Sequence, residues 1–360
     1  MLEYALNRPG AYDPHPGRRE KSVKAVSLKD PLEIRGIRLE GRIAAAPVAT
    51  ASADPEGGPT PRSLEIYGRL ARCGVDLVVV EHHAVSRKGR ARVAQFRLDS
   101  EASEKANRPM AALFREAGCP AFVQINHAGS QIRDEALLAE KYPVSAPSEV
   151  KHPACPYPVR PKEMDAQEIH AVIESFAAAG KRAISAGYPG VQVHACHGYL
   201  LGQFLSPITN LRRDAYGGKI ANRARLLFEI VEALRPAIGD EGVLSVRLGL
   251  SDSFPKDPPE GLTLEEGLWV ARELAGLGID HLDISGNLCG YDAPGEAYFA
   301  DWARAAREAA PKVPVTCTGG IRNLETARRL VESGACDLVG IGRGLQKDPD
   351  LVRKWKENLR

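Results

Sequence analysis

Along this chain, short runs of Val, Ile and Leu alternate with longer stretches whose apolar positions recur every three to four residues. The runs are RIAAAP (42–47), DLVVVE (76–81), AFVQIN (121–126), GVQVHA (190–195), VLSVRL (243–248), HLDIS (281–285), VPVTCT (313–318) and DLVGIG (337–342). They read as eight strands, and their apolar character predicts a sheet covered on both faces, as parallel sheets are. The stretches between them read as helices. SLEIYGRLARCG ends at Gly74, ASEKANRPMAALFREAGC reaches Gly118 and LEEGLWVARELAGLG ends at Gly278. NLETARRLVESG opens on Asn323, a good N-cap, and closes on Gly334. Repeated switching between the two periods predicts βαβ units, and eight of them predict a (β/α)8 TIM barrel, an α/β fold. A doubly wound open sheet is the competing architecture, but no GxGxxG follows an early strand.

The remaining segments are additions to that barrel. Residues 1–25 are polar and rich in Pro and Gly and read as an N-terminal arm; residues 26–360 read as one domain. LEIRGIRLEGR, with a Gly at its centre, reads as a hairpin ahead of the first barrel strand. The longest insertion, about 128–165, follows the third strand. It carries HAGSQIRDE and the Pro-rich KHPACPYPVRPKEM, too irregular for a helix, and is expected to shape the mouth of a pocket.

Charge and composition act mainly by exclusion. With 48 basic and 46 acidic residues, the net charge of +2 speaks against a dedicated nucleic-acid surface. No apolar run approaches the roughly 20 residues of a membrane helix, and the N-terminus lacks a secretory pattern. Seven cysteines are scattered without a CxxC pair. That suits reduced thiols in a cytoplasmic protein and predicts neither structural zinc nor an iron–sulfur cluster.

In this fold, chemistry lies at the C-terminal ends of the strands. The polar residues there are Gln124, Asn126 and His127, then His194, His197 and Tyr199, then Arg247. Gly319–Gly320 and Gly342–Arg343–Gly344 follow the last two strands. They read as a phosphate cradle, with Arg343 adding a charged fork, or as plain tight turns. Arg247 is a charge within a buried strand and needs a partner, for which an anionic ligand is the economical choice. Gln124 suits the edge of a heterocycle, or is a satisfied core amide. The stretch HACHGYLL has three readings. A metal site lacks support, because no acidic residue lies within seven positions of the two histidines. Two neutral imidazoles could donate N–H groups to one substrate oxygen, with Tyr199 as a proton donor. Simple packing is the third.

HACHGYLLGQFLSPITNLRRDAYGG with NRARLLFEIVEALR resembles the old yellow enzyme family of FMN-dependent ene-reductases. So do GRIAAAPVATASADPEGGPT, FVQINHAG and TGGI…DLVGIGRGLQKDPDL, and the likeness runs from about residue 30 to the C-terminus. The resemblance implies FMN, held by Gln124 at its pyrimidine, Arg247 near N1 and O2, and backbone around Pro47 and Ala49 near N5 and O4. It implies that Gly319–Gly320, Gly342 and Arg343 hold the phosphate. It implies a ping-pong reaction with NADPH or NADH as reductant. Hydride passes through flavin N5 to the β-carbon of an α,β-unsaturated carbonyl or nitro compound. His194 and His197 would grip the oxygen, and Tyr199 would protonate the α-carbon.

Three positions depart from the family pattern. Ala49 stands where Thr or Cys is usual, which predicts a less easily reduced flavin. His82 stands beside the flavin where a small residue is usual, and either offers only backbone or lines the pocket. Asn126 stands at a position that shapes the substrate site. These keep two other functions open: a relative acting on dienoyl or enoyl thioesters, and a barrel that binds flavin without turnover. The expected reductant is a diffusible nicotinamide or a partner protein, and the expected assembly is a homo-oligomer, a dimer or tetramer. In some relatives a C-terminal arginine enters a neighbour's site, and the tail KWKENLR could do the same.

Overall fold

A computed structural model describes residues 26–140 and 142–359. The expected arm, residues 1–25, and the terminal Arg360 lie outside the described residues. β1 (Leu32–Ile34) and β2 (Ile37–Leu39) form the antiparallel hairpin. Its two-residue turn, Arg35–Gly36, has φ of +45° and +75°, the sense that matches the twist of a tight hairpin. Ile34 and Leu39 pack on Ala44, Leu77, Phe122, Val243 and Leu338. Each of those lies near the start of a barrel strand, so the hairpin plugs the N-terminal end of the barrel.

The chain then alternates strand and helix. β3 (Ile43–Ala45), α1 (Pro61–Leu70), β4 (Leu77–Ala84), α2 (Glu101–Glu116) and β5 (Ala121–Asn126) come first. The insertion follows. It contributes a 3-10 turn (Glu135–Ala139) and two short strands, β6 (Ser145–Ala146) and β7 (Lys162–Glu163), which pair in parallel. Next come α3 (Ala166–Ala186), β8 (Gly190–Ala195), α4 (Leu200–Leu205), α5 (Ile220–Arg223), α6 (Arg225–Ile238) and β9 (Val243–Gly249). The last part is α7 (Leu264–Gly276), β10 (His281–Ser285), α8 (Ala300–Ala309), β11 (Val315–Thr318), α9 (Leu324–Glu332), β12 (Leu338–Ile341), α10 (Arg343–Lys347) and α11 (Leu351–Asn358).

Eight strands close a parallel barrel in the order β3, β4, β5, β8, β9, β10, β11, β12, with β12 returning to β3. They coincide with the eight apolar runs. Four helices start on a reciprocal capping box, at Thr60, Ser100, Asp165 and Thr263, which satisfies end donors and fixes where each helix begins. Asn323 caps α9 by accepting from the Thr326 N–H.

One expectation is corrected. The strands are buried throughout but not apolar throughout. Gln124, Gln192, Ser245 and His281 sit level with one another across β5, β8, β9 and β10. Their side chains join end to end: Gln124 to Gln192 at 2.8 Å, Gln192 to Ser245 at 3.2 Å, Ser245 to His281 at 2.8 Å, and His281 to Thr316 at 2.7 Å. Polar groups are tolerated inside the barrel because each finds a partner on the next strand.

Candidate active site

A cavity of about 690 Å³ opens at the C-terminal ends of the strands, within the range of sites for cofactors and small ligands. Pro47 and Ala49 after β3, His82 on β4, Gln124 on β5, and His194, His197 and Tyr199 on and after β8 all line it. So do Arg247 on β9, Gly319 and Gly320 after β11, and Gly342 and Arg343 after β12. The barrel therefore collects residues spread over nearly 300 positions of sequence into one wall, as closure of the sheet requires. The His82 ring packs beside two other lining rings, 5.4 Å from Tyr199 and 5.9 Å from His194 between centroids. His127 does not line it; its Nδ1 accepts the Gly129 N–H inside the core.

Asn126 is corrected. It is fully buried and stands behind the cavity wall, between His82 and His194, with each imidazole Nδ1 at 3.2 Å from its amide. It positions the lining residues rather than touching the space itself.

The segment after β8 is held in an unusual backbone. His197 has φ of +57° and Gly198 +71°, the left-handed region that a histidine adopts at a cost. A Cβ at Gly198 would lie 2.6 Å from His152 Nε2, so the insertion seats directly on the HGY turn and only glycine fits. His194 Nε2 lies 3.1 Å from His197 Nδ1, and His197 Nε2 lies 2.7 Å from Ser285 Oγ. The expectation of two N–H groups aimed at one oxygen is thereby corrected: in this arrangement the two rings share a single N–H between them. Burial drives both pKa values well down, followed by the neighbouring imidazoles for His194 and by Arg247 for His197, so both rings are neutral. Burial raises the Tyr199 hydroxyl, which keeps its proton at neutral pH as an acid must.

Arg247 has a partner within the protein, which corrects the expectation that an anionic ligand is its economical partner. Strand register sets it beside Asp283, and Nε lies 3.2 Å from Asp283 Oδ2 with both side chains buried. That contact is an ion pair without hydrogen-bond direction, for Nε has no acceptor. Asp283 is also held by Thr318 Oγ1 at 2.7 Å. A buried guanidinium with unused donors at the cavity wall fits an electron-rich ligand edge. Gln124 gives its Nε2 to Gln192, which leaves its carbonyl for an N–H donor.

Around the two glycine turns the space is close. A Cβ on Gly320 would meet the Tyr298 ring at 2.7 Å, and Gly320 has φ of +68°, so the backbone itself must form this wall. Arg343 is half exposed, pairs with Asp292 at 3.0 Å, and lies over the Tyr291 ring at 5.8 Å. Any anion held by Arg343 competes with Asp292.

His194, Cys196 and His197 place three ligand atoms within 4.8 Å. A metal there would need the thiolate, and burial drives the Cys196 thiol upward. Sequence reading missed Gln192, Asp283, Ser285 and Thr318, although the polar positions within GVQVHA, HLDIS and VPVTCT carried a signal for them. It also missed Gln95, Tyr291 and Tyr298, which lie on loops and carried none. Among the described residues no helix is long and apolar enough to cross a membrane.

Residues 27–360 match the family described as NADH:flavin oxidoreductase / NADH oxidase. An NADH oxidase from Thermoanaerobacter brockii is 33% identical over 90% of this chain and 50% of its own length; the chain spans about half of that relative. An NADPH dehydrogenase from Geobacillus sp. (strain WCH70) is 31% identical over 89% of this chain and 91% of its own. Among solved structures, a 2-naphthoyl-CoA reductase complex superposes with a TM-score of 0.85 at 26% identity, covering 92% of this chain and 52% of that one. The old yellow enzyme homologue from Zymomonas mobilis superposes at 0.77 with 25% identity, covering 93% of each.

Proposed function

This chain belongs to the NADH:flavin oxidoreductase / NADH oxidase family, and we propose that within it the protein is an ene-reductase that reduces the activated C=C bond of α,β-unsaturated carbonyl or nitro compounds. FMN is its cofactor and NAD(P)H its reductant. The observation that carries the reading is the meeting, in one cavity, of a neutral histidine pair and a protonated tyrosine with polar groups suited to a flavin.

The residues present fit FMN. Arg247, with its unused donors, would meet the edge where reduced flavin carries negative charge. The free carbonyl of Gln124 would take a ring N–H. The close backbone of Gly319, Gly320 and Gly342, with Arg343, would hold the phosphate, and the loop at Pro47 and Ala49 would border the opposite ring edge. Held there, FMN would supply hydride chemistry between the nicotinamide and the alkene. The chain's own residues do the rest. His194 and His197 receive the substrate oxygen, which takes the N–H that the rings share and so draws electrons from the alkene. Tyr199 gives its proton to the α-carbon. Because reductant and substrate use the same cavity, they react in turn.

A second reading, reduction of an enoyl or aryl thioester, draws on the likeness to a 2-naphthoyl-CoA reductase. Anaerobic NADPH should bleach the visible flavin absorption of the FMN-loaded protein, and cyclohexenone should restore it. Bleaching without reoxidation by cyclohexenone, but with reoxidation by a dienoyl thioester, would move the assignment to the second reading. A protein that takes up no FMN would end both.

A further inference from the structure

His82 lines the substrate end of the cavity, with its ring centroid 5.4 Å from that of Tyr199 and 5.9 Å from that of His194. Hydrogen bonds decide which of its nitrogens carries the proton. The Ala91 N–H donates to Gln95 Oε1 at 2.7 Å, which fixes the orientation of that amide. Gln95 Nε2 is then the donor to the His82 carbonyl at 3.2 Å and to His82 Nδ1 at 2.9 Å. Asn126 Nδ2 approaches the same Nδ1 at 3.2 Å. A ring nitrogen that accepts does not carry the proton, so the neutral imidazole is protonated at Nε2. Burial, with His83, Arg92 and Arg133 nearby, lowers the pKa to about 3, so the ring is neutral wherever the protein works. Among the described residues the hydrogen bonds of His82 go to Nδ1 and to its carbonyl, and none to Nε2. Its Nδ1 edge is engaged by Gln95 and Asn126, which leaves Nε2–H as the unpartnered group of a ring that belongs to the cavity lining.

The same orientation travels along the wall. With Nδ2 committed to His82, Asn126 presents Oδ1 to His194 Nδ1, and His194 Nε2 becomes the acceptor for the His197 Nδ1–H. The histidine pair therefore holds one N–H, which a ligand gains only by drawing it away from His194 Nε2, whereas the His82 Nε2–H has no protein acceptor to give up.

We propose that His82 is a substrate-binding residue whose Nε2–H donates to a second oxygen on the substrate, so that the enzyme favours alkenes activated by two carbonyl groups. This rests on the ene-reductase reading and names its substrate class. A substrate with one carbonyl leaves this donor without a ligand acceptor, and a site built around a donor discriminates against the compound that lacks the matching group.

The test compares ketoisophorone, an enedione, with cyclohexenone on the FMN-loaded protein. His82→Ala should lower the ratio of kcat/KM for the enedione over the mono-enone by about tenfold, the worth of one net hydrogen bond, and chiefly through KM for the enedione. His82→Gln, whose amide donates but does not titrate, should recover most of the ratio. Nitrogen-15 spectra of histidine-labelled protein should report His82 as the neutral Nε2–H form. An unchanged ratio in His82→Ala, or a proton on Nδ1, overturns the proposal while the ene-reductase reading stands. Wild-type protein that reduces neither compound, yet has Nε2–H at His82, overturns the reading itself and the substrate class with it.

Discussion

At the scale of single residues, the proposed chemistry depends on groups whose protonation is set by burial. Tyr199 keeps its proton because desolvation raises its pKa, and the histidines stay neutral because desolvation lowers theirs. Removing the Tyr199 hydroxyl should therefore affect one half of the cycle. In stopped-flow traces, Tyr199→Phe should slow reoxidation by cyclohexenone about 100-fold or more, the usual contribution of a general acid, and should slow reduction by NADPH far less. Equal slowing of both halves would remove the acid role. The side chain of Ala49, which lines the cavity, has no hydrogen-bonding atom. Ala49→Thr or Ala49→Cys should raise the flavin reduction potential in spectroelectrochemical titration, and a potential that stays put would leave the residue as filler. The motif HACHGYLL made the histidines and Tyr199 legible from sequence. The proton positions were not legible, because they follow from Ala91, Gln95 and Asn126, which meet these rings only in the folded chain.

Between elements, buried polar contacts hold the loops that form the cavity. Glu81 on β4 accepts from the Thr50 N–H at 2.9 Å, from the Thr50 hydroxyl and from the Tyr67 hydroxyl at 3.1 Å. It thus ties β4 and α1 to the loop that carries Pro47 and Ala49. Burial, opposed by those hydrogen bonds, raises its pKa from 4.5 to about 7. A raised carboxyl pKa favours the protonated native state, so this contribution is full below about pH 4.5 and is lost as pH rises through 7. The shift corresponds to a loss of order 3 kcal/mol. Urea melts between pH 4.5 and 8 should show the stability of the wild type falling relative to Glu81→Gln as pH rises; parallel curves would mean that the carboxyl does not titrate in this window. The sequence predicted β4 and α1 correctly and gave no hint of this tie, since DLVVVE places Glu81 at the apparent end of an apolar run, while the strand continues to Ala84.

For the molecule as a whole, the barrel is closed and plugged at one end by the β1–β2 hairpin, and the opposite end remains open around a polar cavity. A ligand that fills this cavity and binds only the folded chain stabilises it by mass action. FMN at about 100 times its dissociation constant should add about 2.7 kcal/mol, which for a chain of this size raises Tm by about 4 °C. Differential scanning fluorimetry of flavin-stripped protein, with and without FMN, measures this. A Tm that does not move would count against Arg247 and Gln124 as flavin ligands.

The sequence by itself determined the barrel, because the alternation of strand and helix periods is a local property and eight βα units have one economical closure. It also determined the HACHGYLL constellation and the glycine turns after the last two strands, since both are contiguous. The tertiary structure alone decided what the contiguous pattern cannot encode. Lateral strand register set Arg247 beside Asp283 and joined Gln124 to Gln192. Packing moved Asn126 behind the wall and brought His82 into it. Hydrogen-bond direction, which depends on groups far apart in sequence, settled where the imidazole protons lie.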